Sequence, residues 1–338
     1  LSGDIRDAIV VSVAASRTDT TTHVLTTMWD WGPTASWDGG QTWQATSWYG
    51  SAYWSGPNGK GAPAMGEGGD VFAITNASDG QAHVLMHDGA TTMYLSSDGG
   101  LTFTSTTLPL TIATHQGGFD WERDASGKAT GTVYLITGAT GASSVLRSAN
   151  YGQGFADWGQ ASWANVAAVV ADPKNTGHVF VATGSCLTTT TDGGKSWGAC
   201  VTPSPSRAAL QRLTLRADDP TKLLASTATG ELLRSSDAGA SWTKVTASSV
   251  GAALNGTNAS QALLSYAPTG TLAVLVSTVT ARPLVTPHIL STSDDGATWT
   301  DITNDVVATQ FNDATWDGPD YYLASSGEAI LRRKGLAP

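Results

Sequence analysis

Charge is scarce in this chain. Lys, Arg, Asp and Glu make up 14% of the 338 residues, against roughly 25% in ordinary soluble domains. The 18 Lys+Arg form no basic cluster to offset the 28 Asp+Glu, and the formal charge is −10. Nucleic acid and anionic membrane surfaces are therefore excluded as expected partners, and a neutral or cationic ligand fits better. Long apolar runs are missing as well, since none approaches the roughly 20 residues that a membrane helix requires. No His pair stands at ligand spacing, and neither a Gly-Lys-Ser/Thr phosphate loop nor a Gly-x-Ser-x-Gly elbow occurs. No metal and no cofactor is expected. A Pro/Ser-rich linker is also absent, so residues 1–338 read as a single domain. Cysteine is limited to Cys186 and Cys200. They are too few to build a fold, but they flank a predicted hairpin with its turn at residues 192–195, so one disulfide is expected, with two buried thiols as the alternative.

A disulfide implies export. The chain begins at Leu1 rather than at a Met-led signal segment, so it reads as a mature chain whose leader has been removed. Sequons at Asn76, Asn255 and Asn258 are compatible with secretion. A secreted monomer is the expectation.

What the chain has in quantity is glycine, 38 residues, and ten of these lie in a repeat. The pattern Ser/Thr-x-Asp-x-Gly-x-Thr/Ser-Trp/Phe recurs as SWDGGQTW (36–43), SSDGGLTF (96–103), TTDGGKSW (190–197), SSDAGASW (235–242) and TSDDGATW (292–299). A degenerate copy, SANYGQGF, occupies 148–155. The aspartate can accept backbone N–H bonds across a turn, the glycine supplies a conformation closed to other residues, and the aromatic packs between sheets. Asp38, Asp98, Asp192, Asp237 and Asp294 are therefore read as structural. The repeat resembles the Asp-box, or BNR repeat, of sialidases and related β-propellers.

The flanks of each copy alternate as short strands. The clearest unit spans residues 212–245, with strands at 212–217, 222–227, 231–236 and 241–245. This is a four-stranded antiparallel meander, one propeller blade. Comparable first strands lie near Ile9, Val71, Phe119, Val166, Leu213, Leu263 and Asn312. The expectation is an all-β, seven-bladed β-propeller of about 48 residues per blade. The last unit has only three strands (311–316, 321–325 and 329–333), so residues 1–6 are expected to supply the fourth and close the ring. Six blades, as in sialidases, is the alternative.

The repeats occupy the third turn of each blade, and the chemically unusual connections fall on the opposite face. Trp29, Asp30 and Trp31 share the turn MWDWGP. Trp48, Tyr49, Tyr53, Trp54 and Glu67 lie in one long connection, followed closely by Asp70. His115 precedes GGFDWERD, which carries Asp120, Trp121 and Glu122, and QFNDATWD carries Asp313 and Trp316. Arg282 and His288 lie in the long turn of the sixth blade. Aromatic faces beside carboxylates suit an oligo- or polysaccharide, whose C–H faces stack while its hydroxyls bond. Glycoside hydrolysis uses two carboxyl groups, one protonated and one ionised. Asp30, Glu67 and Asp120 are the leading candidates, with Asp70, Glu122 and Asp313 also within reach of the axis. A polysaccharide lyase with His87, His115, Tyr49, Tyr53 or Arg282 in the base and neutraliser roles stays open, as does a non-catalytic, lectin-like propeller.

The segment HVLTTMWDWGPTASWDGGQTW (23–43) looks like the first repeat of family 74 xyloglucanase-type hydrolases. There a strand ends in Arg-Thr-Asp-x-Gly-Gly, and the resemblance implies Asp30 as the catalytic base. The flanking Trp29 and Trp31 would instead raise its pKa and suit an acid, with a more solvated Glu67 or Asp120 as the base, so both directions of the pair stay open. AMGEGG (64–69) is similar to a Gly-Met-Gly-Glu stretch of that family and aligns Glu67. Those enzymes take their second catalytic Asp from a second propeller, so the resemblance reaches Asp30 at most. Sialidases bind a carboxylate with three arginines and open on Phe-Arg-Ile-Pro. Here Arg6 stands in GDIRDAIV without the Phe or Pro, and only Arg207 and Arg282 join it on the expected face.

Overall fold

The computed structural model describes residues 9–17, 21–28, 32–45, 69–87, 91–110, 118–137, 144–160, 163, 165–254, 262–281, 284–304, 306–307, 310–326 and 330–337. Seven antiparallel sheets, each with its strands in chain order, are arranged as the blades of a propeller. The innermost strands run Val10–Arg17, Val71–Ile74, Phe119–Arg123, Val166–Ala171, Leu210–Arg216, Leu263–Tyr266 and Gln310–Asp317. Among the described residues five blades have four strands, and blades four and seven have three. In blade four the disulfide between Cys186 and Cys200 (Cα–Cα 5.4 Å) pins a short segment in the fourth-strand position, where Leu187 and Val201 exchange backbone hydrogen bonds. Blade seven ends with Ile330–Arg333. Residues 1–6, expected to complete it, lie outside the described residues.

Burial explains the strand sequences. Second strands such as His83–His87 and Val179–Thr183 are buried along nearly their whole length, because a neighbouring blade covers each of their faces; hence their unbroken apolar runs. Outermost strands such as Gln44–Ala45 and Thr243–Lys244 are only two residues long. Short, polar edges of this kind resist pairing with other chains.

The repeated octapeptide follows the third strand in blades one to six and works as a fastener. In the first copy Asp38 Oδ1 accepts from Gln41 N and Thr42 N, and Oδ2 accepts from Thr42 Oγ1. Ser36 Oγ donates to Asp38 and accepts from Gly40 N. Partial burial works against ionisation, but these donors prevail and hold the Asp38 carboxyl at about 2. The same pattern recurs at Asp98, Asp192, Asp237 and Asp294.

In the copies after the first, the glycine also docks onto the preceding blade. A Cβ at Gly100 would stand 2.5 Å from Leu25, at Gly239 2.8 Å from Leu187, and at Gly296 2.7 Å from Leu224. At Gly194 the φ is +91° and a Cβ would lie 2.5 Å from the indole nitrogen of Trp158, which donates to the carbonyl of Gly193. Gly194→Ala combines left-handed strain with overpacking and is expected to destabilise the fold by about 2–4 kcal/mol in a urea titration.

Candidate functional site

The innermost strands enclose an axial channel of about 1290 Å³. At one end it meets the first turns of the blades, beside the octapeptide turns, with Asn76, Gln81, Lys128 and Gly318 among its lining. At the other end, where the innermost strands begin, Ser12, Asp70, Arg212 and Asp313 contribute to its wall.

Irregular pairing sets this second end. The register between first and second strands shifts at Val10/Ser12, Val166/Ala168, Leu210/Arg212 and Phe311/Asp313. A bulge at the same place in four blades re-aims the side chain that follows it. Two of the re-aimed residues become ties between blades. Asp313 Oδ2 accepts from Ser12 Oγ (2.7 Å) and Val13 N (2.9 Å) of blade one, while Oδ1 accepts from Ala314 N. Ser12 Oγ also accepts from Val71 N of blade two.

Asp120 forms a matching tie: Oδ2 accepts from Ala171 N of blade four and Oδ1 from Trp121 N, both at 2.8 Å. Burial raises both carboxyls to about 6 despite these donors, and the neighbouring Asp70 charge adds to the rise at Asp313. Burial lowers the Arg212 guanidinium, with the Asp313 charge working in the opposite direction.

An aromatic band covers one side of the channel. Phe72 and Phe119 stack with centroids 4.5 Å apart, and Trp121 lies 5.5 Å beyond Phe119. Arg123 sits over the Trp121 ring at 4.9 Å. The indole nitrogen of Trp121 is buried without a hydrogen-bond partner. Trp316 lies against Tyr321 and donates to Ser265 Oγ at 3.1 Å.

Of the residues picked from sequence, Asp120, Trp121 and Trp316 thus line the channel, as do Asp70 and Asp313. Trp316 stands one residue before the end of its strand, toward the octapeptide end of the channel rather than the mouth where the other candidates were expected. Glu122 does not reach the axis. It is 3% exposed and accepts from the Tyr134 hydroxyl between strands, because its strand turns it into the blade. His87 is fully buried, with Nε2 at 3.0 Å from Asp70 Oδ2. Trp29, Asp30, Trp31, Trp48, Tyr49, Tyr53, Trp54, Glu67, His115 and Arg282 lie outside the described residues. Arg212 was not singled out from sequence; its one signal is a cation inside the otherwise apolar alternation LQRLTL.

The two raised carboxyls make stability pH-dependent. Their native pKa of about 6 exceeds the roughly 3.9 of a free aspartate, so the native state holds more protons across that interval. Their contribution is fully present below pH ~4 and is lost as pH rises through 6. The octapeptide aspartates have the opposite sign: their contribution is present above pH ~4 and is lost as pH falls further. Unfolding free energy is therefore expected to decline between pH 4.5 and 7 by on the order of 1–2 kcal/mol per raised carboxyl. The Asp120→Asn, Asp313→Asn double variant should flatten that slope in urea titrations.

No known family matches the chain, and no curated protein does. Solved structures do match. The family 74 xyloglucanase of Xanthomonas campestris superposes with a TM-score of 0.64 at 15% identity, over 97% of this chain and 52% of the enzyme. This chain spans about half the length of that xyloglucanase. YCF48 bound to D1 peptide gives 0.62 at 16% identity, over 96% and 93%. Virginiamycin B lyase of Staphylococcus aureus gives 0.62 at 11%, over 97% and 94%. The likeness is one of fold. Propellers of this kind include hydrolases, a lyase and a peptide-bound protein.

Proposed function

We propose that the protein is a secreted, monomeric glycan-active enzyme, a glycoside hydrolase that acts on a plant or microbial polysaccharide at the channel mouth opposite the octapeptide turns. The octapeptides are, on this reading, Asp-boxes of the kind found in sialidases and family 74 enzymes. The observation that carries the proposal is the pairing of channel carboxyls raised to about 6, Asp120 and Asp313, with the aromatic band of Phe72, Phe119 and Trp121. A carboxyl with a pKa near neutrality keeps a proton for a leaving group, and an apolar band holds the sugar face. Asp30, placed by resemblance at a catalytic position, supplies the ionised partner, and Asp120, whose oxygens accept one backbone donor each, supplies the acid. Asp313, with three donors on its oxygens, remains a tie between blades. Trp29, Trp31, Trp48, Tyr49, Tyr53 and Trp54 extend the sugar-binding surface, and Glu67, His115 and Arg282 supply polar contacts. The disulfide supports export.

A second reading has an observation of its own. Both oxygens of Asp120 are held by backbone donors of two blades, which suits a structural tie and favours a glycan-binding propeller without chemistry. A lyase receives less support, because His87 is enclosed with Asp70 instead of lining the channel. A panel of polysaccharides scored for new reducing ends, unsaturated uronate absorbance and binding separates the three. The proposal expects reducing ends without unsaturated product; binding alone would assign the lectin-like reading.

A further inference from the structure

Among the described residues Arg212 is the one cation that follows a register shift at the start of an innermost strand, and the blade ties do not use it. Arg212 lines the channel, and among the described residues its guanidinium makes one hydrogen bond, Nη1 donating to the adjacent Gln211 carbonyl at 3.2 Å. Several other arginines among the described residues are held by partners, whereas Arg147, whose Nε is buried without one, does not line the channel. Arg216 holds Asp218 and Asp295, Arg332 holds Asp320, and Arg123 donates to Gly127 O while lying over Trp121. Asp313 lies close enough for its charge to act on Arg212, but its oxygens are taken by Ser12, Val13 and Ala314. Asp313 therefore favours the cation without capping its donors.

We propose that the channel binds a single uronic acid residue, with the sugar carboxylate on the guanidinium fork of Arg212. This rests on the glycan reading above and names its substrate class. A guanidinium offers five donors in a planar fork that matches a carboxylate. Arg212 is half-buried in the channel wall and none of its nitrogens is buried without a partner, so its free donors stay accessible to a ligand carboxylate. The aromatic band on Phe72, Phe119 and Trp121 offers the sugar ring an apolar wall in the same channel. One cation at this end of the channel, in a protein of net charge −10, sets a limit: a densely charged polyuronate is repelled. The substrate is a largely neutral polysaccharide that carries isolated uronate groups.

The test is calorimetric titration with three probes: a neutral oligosaccharide bearing one glucuronate, the same compound methyl-esterified at that carboxyl, and the unsubstituted oligosaccharide. The acid is expected to bind wild-type protein at least about tenfold more tightly than the ester. Arg212→Gln should reduce the acid to the affinity of the ester, and Arg212→Lys should keep part of the preference. Equal affinity of acid and ester for the wild type overturns the uronate site and leaves the glycan reading standing. An acid preference that survives in Arg212→Gln overturns the assignment to Arg212. Binding of none of the three overturns both. The acid-to-ester ratio on wild-type protein decides the matter even where Arg212→Gln does not fold.

Discussion

Asp30→Asn is expected to lower turnover by several orders of magnitude on whichever glycan the protein cleaves, with sugar affinity changed by no more than a few fold. The substitution keeps the side-chain shape and removes the charge. Loss of an ionised carboxylate removes either the base that activates water or the nucleophile, and such a group acts mainly in the transition state. Asp30 belongs to the connection between the strands Thr22–Met28 and Gly32–Ser36, and the octapeptide begins at the far end of the second of these. Asp30 itself lies outside the described residues; on the reading proposed above it acts at the end of the channel where Asp70, Arg212 and Asp313 line the wall. Trp31→Ala is expected to act differently, weakening binding before it slows turnover, because a stacking ring serves ground state and transition state alike. Steady-state kinetics with a binding titration of each variant separate the two effects. Full activity in Asp30→Asn would remove it from the chemistry.

Deleting residues 1–6 is expected to lower the melting temperature by about 5–8 °C. Blade seven has three strands in the described residues and leaves Ile330–Arg333 at its edge. A fourth strand there would add about four ladder hydrogen bonds, each contributing roughly 1 kcal/mol, and a domain of this size shifts by about 2 °C or somewhat less per kcal/mol. The loss is bounded because side chains already bind blade seven to blade one. Asn312 Nδ2 donates to Val10 O, Arg332 Nη1 donates to Gly39 O, and Thr22 Oγ1 donates to Asp317. Tyr322, Ala324 and Ile330 share a buried cluster with Val10, Val24 and Met28. An unchanged melting temperature would mean that the N-terminus is not the closing strand.

Blade number and strand position were legible in the chain because local rules enforce them. Each octapeptide builds its own turn from side chains within five positions, and each second strand must be apolar on both faces between two blades. The first strands expected near Val71, Phe119, Val166 and Leu263 begin within a residue or two of those positions. The channel wall was less legible, since it depends on bulges and on contacts between residues far apart in sequence. Asp313 meets Val13 across 300 positions, and no periodicity announces that its oxygens are committed there. Glu122 and Asp120 are two residues apart, yet one bonds Tyr134 inside its blade and the other reaches Ala171 of the next. Arg212 passed for an ordinary strand residue because only the register shift at Leu210 turns it toward the axis.

The central claim is that function resides at the channel mouth opposite the octapeptide turns. Amide hydrogen exchange with and without a bound glycan from the polysaccharide panel tests it most directly. The account predicts slowed exchange at the starts of the innermost strands, around residues 69–72, 118–121, 210–213 and 310–314, with the octapeptide turns at 36–43, 190–197 and 235–242 unchanged. Protection confined to those turns, with none at the strand starts, would contradict it.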